Sequence, residues 1–162
     1  MRALARRLDV APNALYSHVD SKTALLDDLL DDLLADVTLP DPEAADPSTA
    51  VAQMIESSYV VLTAHPHLVP MFLSRQGARG PNAVRLGVVL DELLRRAGVQ
   101  EADVAEARRV LIVHAIGSAA FATGPPVEPG GERPMPPVES QLTFARSLQW
   151  LLAGITAGPR PA

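Results

Sequence analysis

The run VLIVHAIGSAAFA, Val110 to Ala122, is apolar on almost every side of a helix. A helix without a polar face must be buried from several directions. It is too short to cross a bilayer and it contains His114, so other helices, or a second copy of the chain, have to cover it. The remaining periodicity is helical as well, and no segment reads as a convincing strand. Helices are expected over Arg2–Leu8, Pro12–His18, Ser21–Val37, from Ser48 to Pro66, His67–Ser74, Pro81–Gly98, Glu101–Thr123 and Glu139–Ala157. Ser21 and Ser48 are the expected N-caps, Pro12 and Pro81 suit first turns, and Asp9 is able to close the first helix in a left-handed conformation. The proline-rich segments Leu39–Pro47 and Gly124–Val138 read as an elbow and a loop. The last helix should bury Leu142, Ala145, Leu148, Leu152 and Ile155, with Phe144 and Leu151 widening the stripe. The fold class is therefore all-α.

With 162 residues, the chain is one compact unit or one domain with a small appendage, large enough to bury a core. It has no cysteine, which excludes disulfides and thiolate metal sites and fits a reducing compartment. No basic stretch followed by an apolar core opens the chain, so no signal peptide is expected, and the cytoplasm is the expected location. The net charge of −5 is unevenly spread. Residues 1–22 carry Arg2, Arg6, Arg7 and Lys22 against Asp9 and Asp20, whereas residues 23–47 carry acidic groups and no basic one. The N-terminal tip is thus the place for an anionic partner. Asp27, Asp28, Asp31 and Asp32 read as a solvated helix face. His65 and His67 flank Pro66, too interrupted for a helical metal site. No catalytic triad, glycine-rich phosphate loop or paired catalytic carboxylates can be assembled, so an enzyme is not expected.

Two short helices joined by a tight turn serve either as a DNA reader or as a corner in a helical protein. Here Ala5 is small enough for helix contact, and Leu4, Leu8, Val10 and Leu15 are apolar. The second helix would present Asn13, Tyr16, Ser17 and His18 to a major groove. Asparagine can pair with adenine, while Tyr16, His18 and Lys22 suit phosphates, and Arg2 and Arg6 could clamp the backbone.

The stretch MRALARRLDVAPNALYSHVDSKTALL resembles the DNA-binding module of the tetracycline-repressor (TetR) family. The resemblance rests on the R-x-L-A start, the L-x-V corner and LYSHV-x-SK-x-x-LL, and covers the first 26 residues. The helical order behind it is similar to the family's tetracycline-repressor-type C-terminal domain. It implies a DNA-facing set of Arg2, Asn13, Ala14, Tyr16, Ser17, His18 and Lys22, with Asp9 standing where glycine is common. It implies a division into a head with connecting helix, residues 1–38, and a ligand-binding and dimerisation domain, residues 48–158. Family members carry a further helix before R-x-L-A, whereas here Met1 stands at its first residue. As written, the head is expected to lack apolar cover over Leu4, Leu8 and Leu15. The expected function is a ligand-responsive regulator, a repressor acting on operator DNA as a homodimer. The alternative is a ligand-binding, dimerising protein with no DNA binding of its own.

The two apolar helices, about 101–123 and 139–157, are more than one small core needs, and Gly117, Ser118, Ala119 and Ala120 permit close approach. They are expected to pair with their copies as a four-helix bundle. For the small-molecule pocket that the resemblance implies, the candidates are His65, Met71, Phe72, Asn82, Leu86, His114, Ser118, Phe121 and Trp150. His114 is either a pocket group or a hydrogen-bonded core histidine. Asn82 is a pocket amide or a helix-start residue, and Trp150 walls the pocket or sits at the dimer seam. Tetracycline repressors proper use a histidine of the corresponding helix for a magnesium–drug chelate. The remaining ligands have no match, so neither metal nor cofactor is expected, and the effector should be apolar or aromatic.

Overall fold

The computed structural model describes residues 2–7, 9, 11, 13, 14, 20–75, 80–124 and 136–158. Among these, the helices are α1 (Arg2–Arg7), α2 (Lys22–Leu34), α3 (Pro47–Ala64), α4 (Val69–Arg75), α5 (Pro81–Arg96), α6 (Val104–Thr123) and α7 (Pro137–Ala157), with a 3-10 turn at Glu101–Asp103 before α6. No described residue is in a strand, and no helix is long and apolar enough to cross a membrane among the described residues.

The helix ends follow local chemistry. Asp9, at φ 55°, closes α1, and its N–H reaches the Arg6 carbonyl. Ser21 Oγ accepts from Ala24 N at 3.0 Å and opens α2. The expected Ser48 cap of α3 is corrected to Asp46. Pro47 has no N–H to lose and takes the first helical slot, so the capping position falls on the residue before it. Asp46 accepts from Thr49 N at 3.0 Å and from Thr49 Oγ1 at 2.7 Å. At the end of α5, Gly98 takes φ 97°. Its N–H bonds the Arg95 carbonyl at 3.0 Å, and Val99 N bonds Leu94 O at 3.0 Å, the paired bonds of a Schellman stop.

α6 lies at the centre, packed on α3, α4, α5 and α7, and α2 lies across α5 and α3. Leu30, Leu33 and Val37 share one buried core with residues of α3 to α7. The elbow is held down by Arg96, whose guanidinium donates to the carbonyls of Pro42 and Ala44. Thr38 N adds a bond to Ser57 Oγ at 2.8 Å.

One packing expectation, the burial of Leu142 on α7, is corrected. Within one chain, α6 buries the single stripe Val104, Ala107, Leu111, Ala115 and Ala119, while Val113 and Phe121 are 62% and 82% exposed. On α7 the buried stripe is Ser140, Phe144, Leu148 and Leu152, and Leu142 is 68% exposed. Residues four apart share a helix face, so Phe144, Leu148 and Leu152 turn inward together, with Phe144 stacked on Tyr59 and Ile155 against the core, and Leu142 is left outside.

Candidate functional site

The acidic face of α2 is not simply solvated, as its sequence suggested. Asp31 is 4% exposed and reaches the start of α5. Its Oδ2 accepts from Asn82 N at 2.9 Å and from Asn82 Nδ2 at 3.1 Å, and its Oδ1 accepts from Ala83 N at 2.9 Å. Asn82 Nδ2 also donates to the Asp31 carbonyl at 3.2 Å. α5 begins Gly80-Pro81, and Gly80 has no side chain with which to cap. The carboxylate from α2 therefore caps α5 across the fold, favoured by the positive end of the helix dipole. Gly80 makes the approach possible, since a Cβ there would lie 2.6 and 2.7 Å from Oδ2 and Oδ1. One turn earlier, Asp27 forms a two-pronged ion pair with Arg75 of α4 through Nε and Nη2. Residues i and i+4 of α2 thus tie it to two different helices of the body.

Beneath this latch is an apolar cavity of about 450 Å³ between α3, α5 and α6. Met54 and Leu62 of α3, Leu86 of α5, and Ile112 and Ile116 of α6 form much of its wall. Phe72 contributes from α4 and Leu34 from the last turn of α2. The polar side chains on the wall are Ser58 and Arg108. The Ser58 hydroxyl donates to the Met54 carbonyl at 2.9 Å, and Arg108 Nη1 donates to Asp91 Oδ2 at 2.6 Å.

A second cavity, about 350 Å³, lies between α6 and α7 beside a ladder of rings. Phe144 stacks on Tyr59 with centroids 4.1 Å apart and on His114 at 5.0 Å. His114 Nε2 is 3.0 Å from Ser147 Oγ, whose hydroxyl also reaches the Phe144 carbonyl at 2.9 Å. Burial pushes the imidazole below its ordinary value, and a hydrogen bond with the Phe144 backbone pulls weakly the other way.

No family model matches the chain. A curated HTH-type transcriptional regulator of Saccharopolyspora erythraea is 32% identical over 118 residues, covering 73% of this chain and 50% of that protein. The chain thus spans about half the length of the curated relative it matches. Among solved structures, the Streptomyces coelicolor TetR family protein ActR, in complex with actinorhodin, has the same fold. Its TM-score is 0.79 at 23% identity, over 99% of this chain and 88% of that one. Mycobacterium smegmatis BioQ gives a TM-score of 0.76 at 26% identity, over 96% of this chain and 85% of its own. BioQ with its natural double-stranded DNA operator gives 0.72 at 26% identity, over 97% and 85%. The chain has the fold of TetR family proteins.

Within this TetR-family fold the expected site residues scatter. Asn13 and Ala14 are helical and exposed, and Lys22 is exposed at the first position of α2. Arg2 opens α1, but its side chain, like Tyr16, Ser17 and His18 altogether, lies outside the described residues. Phe72 and Leu86 line the larger cavity; His114, Ser118 and Phe121 line the second. Asn82 is engaged with Asp31 and lines neither, which fits its reading as a helix-start residue. His65 ends α3, Met71 packs against the core, and Trp150 is 71% exposed on α7; none of the three lines either cavity. Sequence reasoning missed Asp31 and Arg108. A signal for Asp31 was present: a helix beginning Gly-Pro supplies no cap, so its first N–H groups must find an acceptor elsewhere.

Proposed function

We propose that this chain is a ligand-responsive transcriptional regulator of the bacterial cytoplasm. It binds operator DNA as a homodimer through its N-terminal helix-turn-helix, acts as a repressor, and releases DNA when a small apolar effector enters the cavity of about 450 Å³. The observation that carries this reading is shared structure. Leu34 of the connecting helix lines the cavity, and Asp31 of the same helix caps α5, which forms one cavity wall. An effector that prefers one placement of α5 over another biases α2, and with it the head. The TetR-family fold, a relative described as an HTH-type regulator, and neighbours solved with actinorhodin and with operator DNA support this reading. The bare apolar faces of α6 and α7, with Val113, Phe121, Val138, Leu142 and Trp150 exposed, support pairing with a second copy.

In the head, Arg2, Asn13, Ala14, Tyr16, Ser17, His18 and Lys22 form the DNA-facing set. The test is a gel shift on DNA from the gene's own neighbourhood, at rising salt. Affinity should fall steeply as phosphate contacts are screened, and His18→Ala should weaken it further. Binding that ignores salt and His18→Ala refutes the DNA-contact set. Absence of any shift favours a ligand-binding, dimerising protein without DNA binding of its own.

A further inference from the structure

Resting on the reading of the α3–α5–α6 cavity as the effector site, we propose that its ligand is an apolar, ring-sized molecule carrying one acidic group. Arg108 is the residue that recognises that group. Among the residues lining the cavity Arg108 carries the charge, and the Ser58 hydroxyl is turned to the Met54 carbonyl. A guanidinium on an apolar wall is desolvated by whatever fills the cavity, and a purely apolar occupant would leave the N–H groups that Asp91 does not hold without an acceptor. A carboxylate or other acidic oxygen on the occupant supplies one.

Two local features prepare Arg108 for this. Asp91 holds Nη1 at 2.6 Å, which fixes the planar fork against α5. Arginine has five N–H donors in that fork, so one such bond leaves others for a second acceptor. One turn before Asp91 stands Gly87, also on the cavity wall. A Cβ at Gly87 would lie 3.5 Å from Arg108 Nη1, and nothing else would come within 4 Å of it. The missing side chain leaves room beside the guanidinium, and the cavity volume of about 450 Å³ is within the range for a small-molecule site. Asp91 already neutralises part of the arginine charge, so the acid preference is moderate.

The test uses 9-anthracenecarboxylate and its neutral analogue 9-anthracenemethanol, titrated into the full chain at pH 7.5 and followed by calorimetry. The wild-type protein should bind the acid about tenfold more tightly, the worth of one charge-assisted hydrogen bond. Arg108→Met should erase that preference while leaving the alcohol within about threefold of its wild-type affinity. Gly87→Leu, which fills the space beside the guanidinium, should remove binding of both. The double variant Asp91→Asn/Arg108→Met keeps the pair uncharged and is read in the same way if Arg108→Met does not fold. Equal binding of the two probes by wild type, or a preference that survives in Arg108→Met, overturns the acid recognition alone. If neither probe binds the wild type, the reading of the cavity as an effector site falls with it.

Discussion

Replacing Asp31 by alanine removes the acceptor of two backbone N–H groups and one side-chain N–H at the start of α5, at 2.9 to 3.1 Å. Hydrogen bonds to a charged group contribute about 1.5–3 kcal/mol each, and loss of an N-cap costs up to about 2 kcal/mol. These contributions do not add, because all three bonds end on one carboxylate and Asn82 and Ala83 are only half-buried, so water can replace part of what is lost. The expected destabilisation is about 2–3 kcal/mol, or about 5–10 °C in melting temperature for a chain of this size. Asp28, exposed on the same helix, is the control, and Asp28→Ala should stay within about 0.5 kcal/mol of wild type. Gly80→Ala attacks the same latch from the other side and should cost about 1–3 kcal/mol, since its Cβ has no room beside the carboxylate. The measurement is urea and thermal unfolding followed by helix circular dichroism. If Asp31→Ala is no more destabilising than Asp28→Ala, the carboxylate is not capping α5 and the proposed link between head and cavity loses its anchor.

The His114 imidazole titrates below its ordinary value in the folded chain, so the unfolded chain takes up the proton more readily. Stability is therefore full above about pH 6.5 and falls as the pH drops from there through the folded-state value. His114→Gln should flatten that slope in urea midpoints measured between pH 7.5 and pH 5; an unchanged slope refutes it. Gly98 at φ 97° should resist alanine, at a cost of about 1–2 kcal/mol in unfolding free energy, because a Cβ is strained in that conformation. If α6 and α7 pair with a second copy, Leu142→Asp combined with Phe121→Asp should shift the sedimentation of a dimer to that of a monomer. The emission of Trp150, 71% exposed in the single chain, should move to the red as well. Unchanged sedimentation places the interface elsewhere.

The features legible in the sequence are those whose partners lie a few residues away. Ser21 caps Ala24, Asp9 closes α1 by its own backbone preference, and at the end of α5 Gly98 N bonds the Arg95 carbonyl and Val99 N the Leu94 carbonyl. Proline hid the cap of α3 by occupying the first helical slot, yet that rule too is local. The family signature is similarly short-range, carried by residues up to Leu26.

Distance along the chain is what made the rest illegible. Asp31 and Asn82 are 51 residues apart, so no window of sequence shows that one aspartate of a four-aspartate face is capped inward while Asp28 faces water. α7 is apolar on more than one side, and nothing in its own sequence shows that Leu142 stays outside while Phe144 stacks between Tyr59 and His114. A cavity is the space that five helices fail to fill, and periodicity describes the helices without describing the gap. By itself the sequence determined a helical fold, the helix ends whose partners are local, and the likeness of its first residues to a DNA-reading head, because backbone propensity and capping act over a turn or two. The tertiary structure decided which charges became a latch, which arginine faces the cavity, and which apolar faces stay bare, because each depends on side chains that meet only after the helices have packed.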